Sequence, residues 1–274
     1  GVDICAELVA AIDKPAIVLS GTAMPRLTSE IVLAGGYSGY LGSGIAYTTS
    51  YTKEVSIEDG IRNYQYLDRL AAMYAERGVD LHRRQPGFLT GTNIPPCIAI
   101  VVAVLDVLLA AGQGVRNYGL ELGQALHLIQ DSAAIRACRE LCQEYLEKKG
   151  YDDVFTPVIS LHWMGAWPYD DAQAAALLAY GGTLGAVGGA VSVTTKSTHE
   201  AFGLPTPEKN VEGLKITRMA IYLARHTRLD DNPEFLEEKE LIGREVRPIV
   251  DKVLEMGDGD AALGTVRAIE AGVL

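Results

Sequence analysis

Cysteine is scarce in this 274-residue chain. The four thiols, Cys5, Cys97, Cys138 and Cys142, are too few for a disulfide framework. Cys138 and Cys142 fall four apart on an expected helix with no histidine nearby, so they read as buried thiols, not metal ligands. A reducing, cytoplasmic setting follows. Basic charge is also lacking: the net charge is −11, and no basic stripe offsets it. That excludes an electrostatic nucleic-acid binder. The five histidines (His82, His127, His162, His199, His226) are scattered without ligand spacing, which argues against a zinc enzyme. G-x-G-x-x-G, Walker A, G-x-S-x-G and H-E-x-x-H motifs are all missing. Asp80-Leu81-His82 begins like the D-x-H-x-x-G cobalamin-ligand motif, but Gln85 stands where glycine is required. There is no signal peptide and no initiator methionine, so a piece of a longer chain is expected.

One long charge-free run remains. Ala172–Thr195 spans 24 residues without a charge and holds five glycines. Its character changes near Ala190, so a buried helix, a turn and a strand explain it better than a membrane span.

The composition is otherwise globular, with 48% hydrophobic and 22% charged residues. Helical spacing of Ile4, Leu8, Ala11 and Ile12 predicts a first helix stopped at Asp13-Lys14-Pro15. Expected strands are Ala16–Ser20, Gly44–Thr49, Val79–His82, Val115–Leu122, Val154–Leu161 and Val191–Thr195. Expected helices run over Pro25–Ala34, from the capping box Ser56-Ile57-Glu58-Asp59 to Gly78, Cys97–Ala111 and Gln124–Lys149. Others start at Asp171 and at Thr206-Pro207-Glu208, and two more, Pro233–Met256 and Asp260–Ala271, close the chain. Leu89–Pro96 reads as a loop. Six strand-then-helix units with apolar strands mean a parallel sheet covered by helices in one domain, 1–274. A truncated (β/α)₈ barrel and an open doubly wound sheet both fit.

Catalytic groups of such folds sit at the carboxyl ends of strands. In this register those are Ser20, Tyr47, Arg83/Arg84, Glu121, His162/Trp163 and Lys196/Glu200. A lysine there can be a Schiff-base nucleophile, a donor to a ligand hydroxyl or a rim charge. Lys196 and Glu200 flank a short turn and can hold a diol or ribose between them; a surface ion pair is the plain alternative. Tyr47 and Tyr51 suit either packing or substrate donation.

With these pieces laid out, the chain resembles the large (epsilon) subunit of glutamate mutase, or methylaspartate mutase, over nearly all of its length. The likeness rests on Gly35-Gly36, Gly42-Ser43-Gly44-Ile45-Ala46-Tyr47, Gln65-Tyr66-Leu67-Asp68-Arg69-Leu70 and Leu89-Thr90-Gly91-Thr92. It continues through Leu108-Leu109-Ala110-Ala111, Gln113-Gly114-Val115, Ile129-Gln130-Asp131 and Trp163-Met164-Gly165. Lys196, His199-Glu200-Ala201, Gly203, Pro205 and Leu263-Gly264-Thr265-Val266 complete it. The resemblance implies a (β/α)₈ TIM-type barrel, here truncated to about its last five or six β/α units plus C-terminal helices. It also implies an adenosylcobalamin-dependent isomerase that interconverts L-glutamate and threo-3-methylaspartate. The corrin is then carried by a separate small cobalamin-binding subunit, in a heterotetramer built on a homodimer of large subunits.

Residue by residue, the resemblance puts Lys196 and Glu200 on the adenosyl ribose. Leu204, Trp167 (Phe in the family) and Ser50 (Pro in the family) fall at further cofactor positions. On the substrate side, Tyr47 and Tyr51 match family tyrosines. The family's claw arginine and its following histidine fall on Leu19 and Ser20, and its base glutamate falls on Leu41. Losing a buried bidentate arginine–carboxylate contact costs roughly 2–5 kcal/mol, so a substrate differing from glutamate at one end is expected. Arg83, Arg84 and Glu121 are candidates to replace the lost groups. A degenerate subunit that binds cofactor without turnover, and a Lys196 Schiff-base aldolase, stand as alternatives.

Overall fold

The computed structural model describes residues 1–12, 14–87 and 94–274. Asp13 and the expected Leu89–Thr92 motif lie outside the described residues. Six strands, β1 (Ile17–Leu19), β2 (Gly39–Leu41), β3 (His82–Arg84), β4 (Tyr118–Gly123), β5 (Val158–Leu161) and β6 (Ser192–Thr194), pair in sequence order, every pair parallel. Helices α1 (Val2–Ala11), α2 (Arg26–Ala34), α3 (Gly44–Ser50), α4 (Ile57–Ala75), α5 (Pro96–Gly112), α6 (Leu128–Lys148), α7 (Asp171–Gly188) and α8 (Pro207–Ala224) intervene or follow. Then α9 (Pro233–Met256) packs across α5 and α6, and α10 (Ala261–Glu270) packs on α9.

The sheet is curled. Arg84 of β3 bonds Thr194 of β6, although three strand spacings in a flat sheet would separate them by ~14 Å. Two side chains meet over that span only on a concave face. The fold is therefore an open half-barrel of six strands, with helices on its convex side.

Most element ends follow local chemistry. Ser56 caps α4 by accepting from the Asp59 amide at 3.0 Å, and Asn232 caps α9 by accepting from Phe235 at 2.9 Å. The charge-free run resolves into α7, a left-handed Gly189 at φ 81°, and β6. Gly182, Gly185 and Gly188 pack α7 against α8, β5 and α6. Among the described residues no helix is long and apolar enough to cross a membrane.

Two expectations are corrected. Gly44–Thr49 is not a strand but α3, and Tyr47 therefore sits on a helix, not at a strand end. The Ser43 hydroxyl accepts from the Ala46 amide at 2.9 Å and donates to Asp106 of α5 at 2.6 Å. Thr48 and Thr49 return their hydroxyls to the carbonyls four residues back, at 2.6 and 2.7 Å, which satisfies both hydroxyls within the helix. A close approach holds it in place: a Cβ on Gly44 would lie 2.6 Å from the Gly60 carbonyl carbon of α4. The true second strand is β2, five residues earlier. The third strand is also displaced, from Val79–His82 to His82–Arg84, and carries charge where apolar residues were expected.

The core lies between the convex sheet face and α5, α6 and α9. In it Arg83, 1% exposed, donates from Nε to Asp68 of α4 at 2.8 Å. Its Nη1 donates to the carbonyls of Gly42 and Arg84 at 2.5 and 2.6 Å. The rings of Tyr40, Tyr64 and Tyr118 each lie 5.1 Å from its guanidinium carbon.

Candidate active site at the carboxyl ends of the strands

Strand alternation divides the candidates. Val18, Tyr40 and Arg83 face the helices, so their successors Leu19, Leu41 and Arg84 face the concave side. These three are register partners in a row across β1, β2 and β3. Leu19 is 62% exposed there. Arg83, turned into the core, is thereby excluded from the concave face.

Arg84 and Glu121 meet on that face. Arg84 presents its Nε–Nη2 edge to the carboxylate, Nη2 to Oε1 at 2.5 Å and Nε to Oε2 at 3.2 Å. Thr194 accepts from Arg84 Nη2 and donates to Glu121 Oε1 at 2.6 Å. Glu121 is 2% exposed. Thr194 was not among the residues expected from sequence; its signal was its place two residues before Lys196 on an exposed-face register.

Lys196 and Glu200 are joined to each other, Nζ to Oε1 at 2.5 Å, the ion pair given above as the plain alternative to holding a diol. Their side chains keep 19% and 28% of their exposure. The loop carrying them is anchored from below: His162, buried at the end of β5, accepts from the Lys196 amide through Nδ1 at 3.4 Å. Burial first, then the Lys196 charge, pull the imidazole down to about 4, so it is neutral at pH 7. Glu200 begins a short 3₁₀ turn, Glu200–Phe202, and Phe202 stacks on His199 at 4.9 Å and meets Tyr169 edge-on at 5.4 Å. Leu204 is 95% exposed beside this aromatic group, and Trp167 is half-buried, its indole donating to the Trp163 carbonyl at 3.0 Å.

The remaining candidates are spread around β1, β2 and α3. Tyr47 is buried, its hydroxyl without a hydrogen-bond partner among the described residues, and burial pushes it up to about 12. Tyr51 caps α3, is exposed, and packs edge-on to Tyr47 at 6.4 Å; Ser50 precedes it, half-buried. Ser20 turns toward the helices, its hydroxyl 3.0 Å from that of Tyr64, which donates to the Thr22 carbonyl. No cluster of three metal-ligating side chains occurs among the described residues.

Comparison with known proteins gives the family of the chain. The sequence profile described as Methylaspartate mutase E chain (MutE) matches residues 1–274. The chain belongs to that family. It is 42% identical over 274 residues to the glutamate mutase epsilon subunit of Yersinia enterocolitica, covering all of this chain and 57% of that protein. The glutamate mutase epsilon subunits of Treponema denticola and Haloarcula marismortui are 43% and 41% identical, with 56% and 55% of their lengths covered. The chain thus spans little more than half the length of these MutE relatives.

Proposed function

We propose that this MutE chain is the central part of the large subunit of a coenzyme B12-dependent carbon-skeleton mutase. The reading takes residues 1–274 as one partial domain of a complete eight-stranded barrel. The observation that carries it is the Lys196–Glu200 pair at the carboxyl mouth. A ribose presents a vicinal diol, each hydroxyl able to donate and accept, and a half-buried ammonium beside a half-buried carboxylate offers both partners. The residues present therefore fit the adenosyl group, with Leu204, Trp167 and Ser50 as its further contacts. When bound, adenosylcobalamin supplies the radical that removes a hydrogen atom from substrate. Lys196 and Glu200 hold the ribose at the mouth, on a loop anchored by the neutral His162.

Tyr47 and Tyr51 are proposed on the substrate side; Ser20, also expected there from sequence, is instead turned to Tyr64 of α4. Leu19 and Leu41 line the place where a claw arginine and a base glutamate would stand, which favours a substrate other than glutamate. The expected partner is a small cobalamin-binding subunit, in a cytoplasmic heterotetramer around a homodimer of large subunits. Pairing of the Lys196 ammonium with Glu200 favours this role over a Schiff-base amine, which must be free and desolvated.

The test mixes the full-length protein with its small subunit and adenosylcobalamin, then adds a panel of amino acids and simple carboxylic acids. A paramagnetic resonance signal of cobalt coupled to an organic radical, lost in Lys196→Met and Glu200→Gln, supports the proposal. Cofactor retained with silence across the panel identifies a binding subunit without turnover.

A further inference from the structure

We infer that Arg84 is the carboxylate-binding residue of the substrate site, and that the substrate is an amino acid with an apolar side chain. This rests on the mutase reading above and names its substrate class. A guanidinium carries five N–H groups. Glu121 and Thr194 take three, all on the Nε–Nη2 edge. Nη1 has no protein partner among the described residues and is left with two donors for a ligand. The contacts with Glu121 and Thr194 pin the guanidinium plane, so those donors are held in one direction.

Charge decides the ligand. Arg84 and Glu121 form a neutral pair, and Lys196 and Glu200 form another. A dicarboxylate would bring an uncompensated negative charge into this site, whereas a zwitterionic amino acid is itself neutral. Its carboxylate meets Arg84 Nη1. Its side chain extends along the register row to Leu41 and Leu19, both apolar and turned to the same face. Thr194 lies two residues before Lys196 on the same segment, about 7 Å along an extended chain, so the group stands on the strand that leads into the ribose contacts.

The experiment is calorimetric titration of the full-length protein with its small subunit, with and without adenosylcobalamin. The probes are L-norvaline and L-glutamate, which differ by a methyl in place of the distal carboxylate. Norvaline is expected to bind at least tenfold tighter. Arg84→Gln alone strands Glu121, so Arg84→Gln/Glu121→Gln is tested beside it, with melting temperature as the check on folding. The folded double variant is expected to lose at least tenfold in norvaline affinity and to retain adenosylcobalamin on gel filtration. Glutamate binding as tightly as norvaline, or a double variant within twofold of the parent, overturns the inference. Failure of the parent protein to retain adenosylcobalamin overturns the mutase reading instead, and the cofactor-free titration still decides the role of Arg84.

Discussion

Replacing Arg83 by methionine tests the account of the core most directly. The side chain is 1% exposed and its partner Asp68 is 2% exposed. Methionine fills much of the aliphatic volume but removes the positive charge. Removing one partner of a buried ion pair typically costs about 3–5 kcal/mol, because the remaining charge has no counter-ion. The Gly42 carbonyl also loses its donor, at about 1–3 kcal/mol for a buried group left unpaired, whereas the Arg84 carbonyl keeps the Gly42 amide at 3.0 Å. These terms are not additive, since Asp68 can protonate and keep the Tyr40 hydroxyl, which donates to it at 2.7 Å. The expected loss is about 4 kcal/mol, a large share of a typical folding stability of about 5–15 kcal/mol. Urea unfolding followed by far-ultraviolet circular dichroism measures it. Arg83→Met/Asp68→Asn should recover about half, because the stranded carboxylate is gone. A single-variant loss under about 1 kcal/mol, or a double variant as unstable as the single, would refute the reasoning.

Three further outcomes follow. Burial raises Asp106 from 3.8 to about 7; its contribution is full below pH ~4 and is lost as pH rises through about 7, on the order of 4 kcal/mol. Asp106→Asn, which still accepts from Ser43, should flatten stability between those limits in pH-dependent unfolding; an unchanged profile would contradict the assignment. Lys196→Met should abolish the signal of cobalt coupled to an organic radical yet shift stability by no more than about 1 kcal/mol, since the pair is partly exposed; a large drop in melting temperature would mean a structural role. Gly213→Ala on α8 sets a Cβ against the Lys196 carbonyl and 3.2 Å from the Ser197 Cα. It should weaken cofactor retention more than it lowers melting temperature, and an unaltered affinity would show that the loop yields freely.

What could be read from sequence was what depends on near neighbours. Asn232-Pro233 announces α9, and its ends, Pro233 and Met256, coincide with those expected. Lys196 and Glu200 are four apart, and their pairing was legible for that reason. By contrast, Ile45–Thr49 has strand-like residues, and the Ser43 that caps it as a helix is itself fixed by Asp106, 63 residues away. Gly39-Tyr40-Leu41 has too little local pattern to announce a strand; its pairing with β1 and β3 makes it one. The Arg84–Glu121–Thr194 group joins positions 37 and 73 residues apart, so only the curl of the sheet reveals it. A lone acid in the otherwise apolar α5 was the one visible sign of Asp106.

The two adjacent arginines explain why the site and the core are separable yet linked. Alternation sends Arg83 to the convex side and Arg84 to the concave side, so a one-residue slip of β3 would exchange a structural cation for a binding one. The link runs through backbone: Arg83 holds the Arg84 carbonyl, and the Gln85 side chain holds that of Glu121 at 2.6 Å. Changes in Arg83 therefore displace the site as well as weaken the fold. Leu19 and Leu41 have no such tie. Their side chains stand on the concave face; Leu19 is largely exposed, so exchanging it forfeits little burial, while Leu41 is half-buried and forfeits more. On the proposed reading, substrate preference changes at Leu19 and Leu41 while the Arg83 layer keeps the sheet wall intact.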